Sequence, residues 1–267
     1  MSRLLLLAWF TFAAFAVPSR ATTPLLEFVA QESETEEITP QQIETAITNL
    51  RAAYAQKDES VLIEALAANR FPDSKVVALL SKGLGSKVQA VRQAALEALR
   101  WTPHKHSLRA LHKECKRNSK LRSDEVLGPL LFKAIGQHGD SSSIPLLADQ
   151  LYSVENRDIV RARILALGHI RDRKAVEALI DLQRAGKPGD FARAARNFRI
   201  SLARLTSVDR GESAERWRTW WSDNKAKFEI PEKPPLLPKD LQRTWDSFWG
   251  VDIYQKRVDR REDRGND

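Results

Sequence analysis

An all-α solenoid is the fold this sequence predicts, and three observations predict it. Five segments carry a small-apolar-small pattern at matching positions, anchored at Ala65, Ala98, Ala134, Ala166 and Ser201, with steps of 33, 36, 32 and 35 residues. A period in the thirties leaves room for two helices per unit, and stacked units of that kind cover one another's apolar faces. Apolar residues recur at helical spacing from 40 to 228, and no run alternates as a strand would. Between these runs lie turn segments such as "GLGS", "QHGDSSS" and "AGKPGD".

Residues 1–21 read as an export signal. Arg3 precedes the apolar run 4–17, Pro18 breaks it, and Ser19 and Ala21 stand at the two positions a signal peptidase reads. Fourteen residues fall short of the roughly 20 that a membrane span needs. An uncleaved N-terminal anchor is the other reading of this run. The expectation is a periplasmic or secreted protein with no integral span after cleavage. Cys115 is the only cysteine, so no internal disulfide can form and helix packing must hold the fold.

Residues 22–38 are polar and acidic without a sustained period, a flexible leader. Thr39 and Pro40 then look like an N-cap and first helical residue, opening a helix through about Ala55 with Ile43, Ile47 and Leu50 on one face. The repeat domain spans 39–229. Its first helices are expected at 74–84, 105–117, 142–152 and 174–184, and its second helices at 60–68, 87–100, 124–137, 157–170 and 190–206. Asp73, Ser142 and Asp190 stand where caps belong, and Pro129 should kink the helix that contains it.

Segment 215–228 puts Trp217, Trp220, Trp221 and Phe228 on one helix face. A solenoid end must cover its apolar surface, so this is read as a capping helix, with ligand stacking as the alternative. Residues 230–240 form a proline-rich spacer. Leu241, Trp245, Phe248 and Trp249 then fall on one side of a short amphipathic helix ended by Gly250. Trp245, Phe248 and Trp249 should dock this helix on the capping helix or on another protein. The charged residues that follow, to 267, should be disordered, and removal of 238–267 is expected to leave the array folded.

The stretch "DIVRARILALGHIRDRKAVEALIDL" (158–182) resembles the repeats of bacterial HEAT-repeat proteins, with their V-R-x-x-A-x-x-A-L-G-x-I-x-D signature. "VQAVRQAALEALR" is similar to its first half, with Arg100 in place of the usual glycine. The resemblance implies a right-handed α-solenoid of about five helical pairs, a tryptophan-rich capping helix and second helices lining a concave surface. "FWGVDIYQKRV" (248–258) resembles the connector that leads from such arrays into a von Willebrand A domain. The metal-binding D-x-S-x-S of that domain has no counterpart in this chain, so metal-dependent adhesion is not implied.

No G-x-S-x-G, H-E-x-x-H, glycine-rich phosphate loop or C-x-x-C occurs, and no catalytic residue is nominated. The di-iron HEAT hydroxylases use paired His-Glu dipeptides, which this chain lacks. His104, His106, His112 and Cys115 are close in sequence, but Lys105, Lys113 and Lys116 among them repel a cation, so neither metal nor cofactor is expected. Basic residues are the better lead. Residues 22–60 carry eight acids against two bases, whereas 155–204 carry twelve bases against six acids. One patch comprises Lys105, Arg109 and Lys113, continued by Lys116, Arg117, Lys120 and Arg122. A second comprises Arg157, Arg161, Arg163, Arg193, Arg196, Arg199 and Arg204 on the later second helices. These are either an ordinary solvated face or a groove that takes carboxylates or phosphates through bidentate hydrogen bonds. The expected function is a non-catalytic protein-binding scaffold of the cell envelope that takes an acidic partner segment. The chain's own leader "EFVAQESETEE" fits that groove chemistry. The alternatives are a binder of anionic polymer, polysaccharide or nucleic acid, and an enzyme, which would require a concave polar pocket.

Overall fold

The computed structural model describes residues 38–153 and 155–251, and among these there are thirteen α-helices and no strand. The expected export signal, the acidic leader through 37 and the charged tail beyond 251 lie outside the described residues. In order the helices are α1 (Pro40–Gln56), α2 (Glu59–Ala68), α3 (Ser74–Lys82), α4 (Gln89–Arg100), α5 (Lys105–Arg117), α6 (Ser119–Ser123) and α7 (Leu127–Gln137). There follow α8 (Ile144–Ala148), α9 (Arg157–His169), α10 (Arg173–Ala185), α11 (Pro188–Thr206), α12 (Ala214–Asn224) and α13 (Lys239–Trp249). No described helix is long and apolar enough to cross a membrane.

Short polar side chains start most of these helices by accepting from otherwise unpaired backbone N–H groups. Thr39 does so for Gln42 in a reciprocal box, and Asp58, Asp73, Asn156 and Asp172 do so for the residues two or three ahead. Two caps differ from expectation. Asp140, not Ser142, accepts at its turn, from the Ser142 N–H. Asp190 sits inside the first turn of α11, where its carboxylate accepts from the Lys187 N–H.

Two helices also differ, each for a local reason. Segment 124–137 is not kinked at Pro129, because α7 begins only at Leu127. Pro129 therefore lies in the first turn, where a missing N–H costs no helical bond, and Asp124 accepts from the Val126 and Leu127 N–H groups just before it. Segment 142–152 is not one helix but the five-residue α8 between single 3-10 turns. The guanidinium of Arg163 donates to the carbonyls of Leu147 (2.8 Å), Leu146 and Asp149, acceptors that a continuing helix would have used internally.

The helices α2, α4, α7, α9 and α11 each pack against the next. On the other side of the core, α1, α3 and α5 follow one another, as do α8, α10 and α12. Small residues set the closeness within the first layer. A Cβ added to Gly136 would lie 2.5 Å from the Cβ of Ala166, and one added to Gly168 would lie 2.5 Å from that of Ser201. In both cases the position two after one anchor faces the anchor of the next unit, so the sequence repeat is a repeat of contacts. Ser201 ties the layer further by donating its hydroxyl to the Ile164 carbonyl at 2.9 Å. At the C-terminal side, α12 lies against α10 with Trp217, Trp220 and Trp221 buried, and the Trp217 indole donates to the Gly211 carbonyl at 2.8 Å.

Candidate binding surface

The layer of second helices presents a face on which each helix contributes the residues just past its anchor: Arg100 from α4, Gly136 from α7, His169 from α9, and Ala203 and Arg204 from α11. Helix α13 lies on this face. After α12 the spacer brings the chain back across α11, where Arg204 donates to the Pro235 carbonyl at 2.7 Å and Arg196 pairs with Asp240 at 3.0 Å. Leu237, Leu241, Trp245 and Trp249 then form a second apolar cluster with Leu165, Ile200 and Ala203. Within the chain α13 thus meets the second helices, and no residue of the capping helix belongs to this cluster. The spacing of its apolar residues fixes which side of α13 is sticky, and the second helices offer the small and aromatic-compatible surface that accepts it.

The docking is rich in cations. The Arg100 guanidinium, only 5 % exposed, donates to the Trp249 carbonyl at 2.6 Å and to the Gln137 side chain, while Glu97 neutralises it at 3.0 Å. It thus holds the negative C-terminal end of α13. Lys133 and Arg161 stand 5.4 and 5.8 Å from the Phe248 ring centre, and Arg204 stands 5.4 Å from that of Trp245. His169 stacks on Trp245 at 6.0 Å and meets Trp249 at a tilt, with ring centres 4.5 Å apart. Burial first, and then the charges of Arg204, Arg100 and Arg171, hold its imidazole down at about 4, so it packs as a neutral ring. One group is left over: the buried Trp249 indole N–H has no acceptor among the described residues.

The cations of the two patches have separate places in the fold. Lys105, Arg109 and Lys113 lie exposed along α5, in the other layer. Arg157 and Arg193 line a cavity of about 430 Å³ between the starts of α9 and α11, with Tyr152, Lys187 and Asp190. Arg193 pairs with Asp190, Arg196 with Asp240 of α13, and Arg199 with Asp209 at 2.6 Å. Arg161 faces Phe248. Arg163 departs outright from the surface expected of it: it is 3 % exposed, occupied with the α8 carbonyls, and burial lowers its guanidinium to about 10. Arg161, Arg196 and Arg204 of the second patch do meet α13, and Arg100, Lys133 and His169 join them on this face. Of the added three, Arg100 left a signal in the sequence, by replacing the glycine of the repeats it resembles.

The histidine and cysteine group has no shared centre. His112 bonds the Ser143 hydroxyl at 2.9 Å, and Cys115 is buried with its thiol pushed up to about 11. Among the described residues no three His, Cys, Asp or Glu side chains are placed to hold a metal ion. Neither a protein-family model nor a curated protein matches this chain.

Proposed function

We propose that this protein is a non-catalytic protein-binding scaffold of the cell envelope. On this reading it is an exported, right-handed α-solenoid of HEAT-like pairs whose second-helix face takes an acidic, aromatic-bearing helical segment of a protein partner. The observation that carries it is the nature of the present occupant. Helix α13 offers the face three aromatic anchors, Trp245, Phe248 and Trp249, and two carboxylates, Asp240 beside Arg196 and Asp246 near Arg204. An amphipathic helix in an apolar groove is a recurring mode of protein recognition, and here the chain supplies the helix itself. The unanswered indole N–H of Trp249 makes α13 an imperfect occupant, one that a partner with an acceptor at that point displaces.

The test uses a labelled peptide of residues 238–251 and the full chain carrying Trp245→Ala and Trp249→Ala, with helicity checked by circular dichroism. Saturable binding to the variant, resisted by the wild type and competed by a protein of the envelope extract, is the expected result. A peptide that binds neither chain removes the reading.

A further inference from the structure

The cations of α5 and α6 are not absorbed by that function, since α5 belongs to the layer away from α13 and α6 follows it directly. We propose that this stripe is a second binding surface, for an acidic polysaccharide. Three observations carry it. First, every exposed residue of these two helices is cationic or a serine: Lys105, Arg109, Lys113, Lys116, Arg117 and Lys120, with Ser119 and Ser123. Second, none of the six cations forms an ion pair among the described residues, whereas the exposed Arg173, Arg193 and Arg196 each have an acid within reach. The one acid of the stretch, Glu114, is half-buried and bonded to Asn118 at 2.7 Å. Third, Lys105, Arg109, Lys113 and Arg117 recur every fourth residue, so like charges repeat about every 6 Å over about 18 Å of helix axis.

That arrangement is not what the helix needs. Lys105 stands in the first turn, against the positive end of the helix dipole, and no acid stands there to offset it. A row of like charges at i, i+4 opposes helix formation. A row of charges that the helix itself does not use points outward, to a partner that supplies the missing charges.

The exposed chemistry selects the partner class. Single-stranded nucleic acid is held by aromatic platforms as well as charge, and a membrane interface by apolar side chains that enter it. The exposed residues of α5 and α6 include neither; the nearest are single side chains at the two ends of the stripe, Trp101 before α5 and Val126 after α6. Point charges and hydroxyls alone suit a hydrophilic chain whose carboxylates or sulfates repeat along its length, held by charge and salt-sensitive through counterion release.

The experiment titrates the full chain with a sulfated glycan of defined length, a matched oligothymidylate and anionic phosphatidylglycerol vesicles, over a range of salt. Glycan binding is expected to be strongest, and log K should fall with log salt at a slope of about −4 for six contacts at the single-strand coefficient. Lys105→Gln, Arg109→Gln and Lys113→Gln together should weaken it by about tenfold or more and remove about half the slope. Arg173→Gln, Arg193→Gln and Arg199→Gln should leave it unchanged. These sites are exposed or paired at the surface, and circular dichroism confirms folding of each variant. Undiminished glycan binding by the α5 variant, a flat salt dependence, or tighter binding of the oligonucleotide or vesicles overturns the proposal. Binding of the 238–251 peptide is read separately, so either surface can fail without the other.

Discussion

Arg100 shows what a single side chain contributes when its neighbours are committed to it. It is buried, satisfies the last carbonyl of α13, and is itself neutralised by Glu97 and oriented by Gln137. Arg100→Ala leaves that carbonyl and the Gln137 amide without their donor, and we expect a loss of about 2–3 kcal/mol in urea unfolding, as for hydrogen bonds to a charged group. Gly136 is constrained by space. A methyl there meets the backbone of Ala166 at 2.8 Å and the Trp249 ring at 3.2 Å, so Gly136→Ala should destabilise by about 1–3 kcal/mol despite its better helix propensity. His169 adds a pH dependence whose sign is fixed. Its folded pKa, about 4, lies below the 6.5 of an ordinary histidine, so between those values the unfolded chain binds a proton that the folded chain refuses. Stability from this residue is complete above about 6.5 and is lost as pH falls towards 4, by roughly 3 kcal/mol at most. Burial lowers His112 and His138 as well. The check is therefore the difference between wild type and His169→Gln in melts from pH 7 to 4.5, and the variant should show the shallower loss.

At the level of the helix, α13 covers apolar surface of the second helices. Removing 238–267 uncovers Leu165, Ile200 and Ala203 and strips Arg100 of its acceptor. The remaining array is expected to keep its helicity but melt lower by several degrees, since about 1 kcal/mol shifts a domain of this size by about 2–4 °C. An unchanged melting temperature by calorimetry contradicts that. The helix itself was legible in the sequence, because Leu241, Trp245, Phe248 and Trp249 share one face. Its docking site was not, because periodicity says which side of a helix is apolar but not which apolar surface will meet it. Gly136 and Ala203 read equally well as packing for neighbouring second helices, and Gly136 serves both ends. The break at α8 was hidden for a related reason. It depends on Arg163, fourteen to seventeen residues away, taking carbonyls that no local pattern reserves for it.

For the molecule as a whole, charge is divided by layer. On the second-helix side cations meet carboxylates, carbonyls and rings of the same chain, while the exposed cations of α5 and α6 form no ion pair among the described residues. Both patches were visible as composition, but composition does not say which arginines have an acid folded next to them. The unpaired set predicts that Arg109→Glu, which turns two repulsive i, i+4 pairs with Lys105 and Lys113 into attractive ones, raises stability by about 0.5–1 kcal/mol at low salt. The gain should fade as salt is added, measured by urea unfolding at two ionic strengths. Arrays of helical pairs couple each unit to its neighbours alone, but the bond from Arg100 to Trp249 joins residues 149 apart. During synthesis at about 5–20 residues per second, the last residue of the second-helix face, Arg204, is made roughly 2–9 s before Trp249. For that interval the face has no α13 to cover it, and the nascent chain is open to any aromatic helix that arrives first.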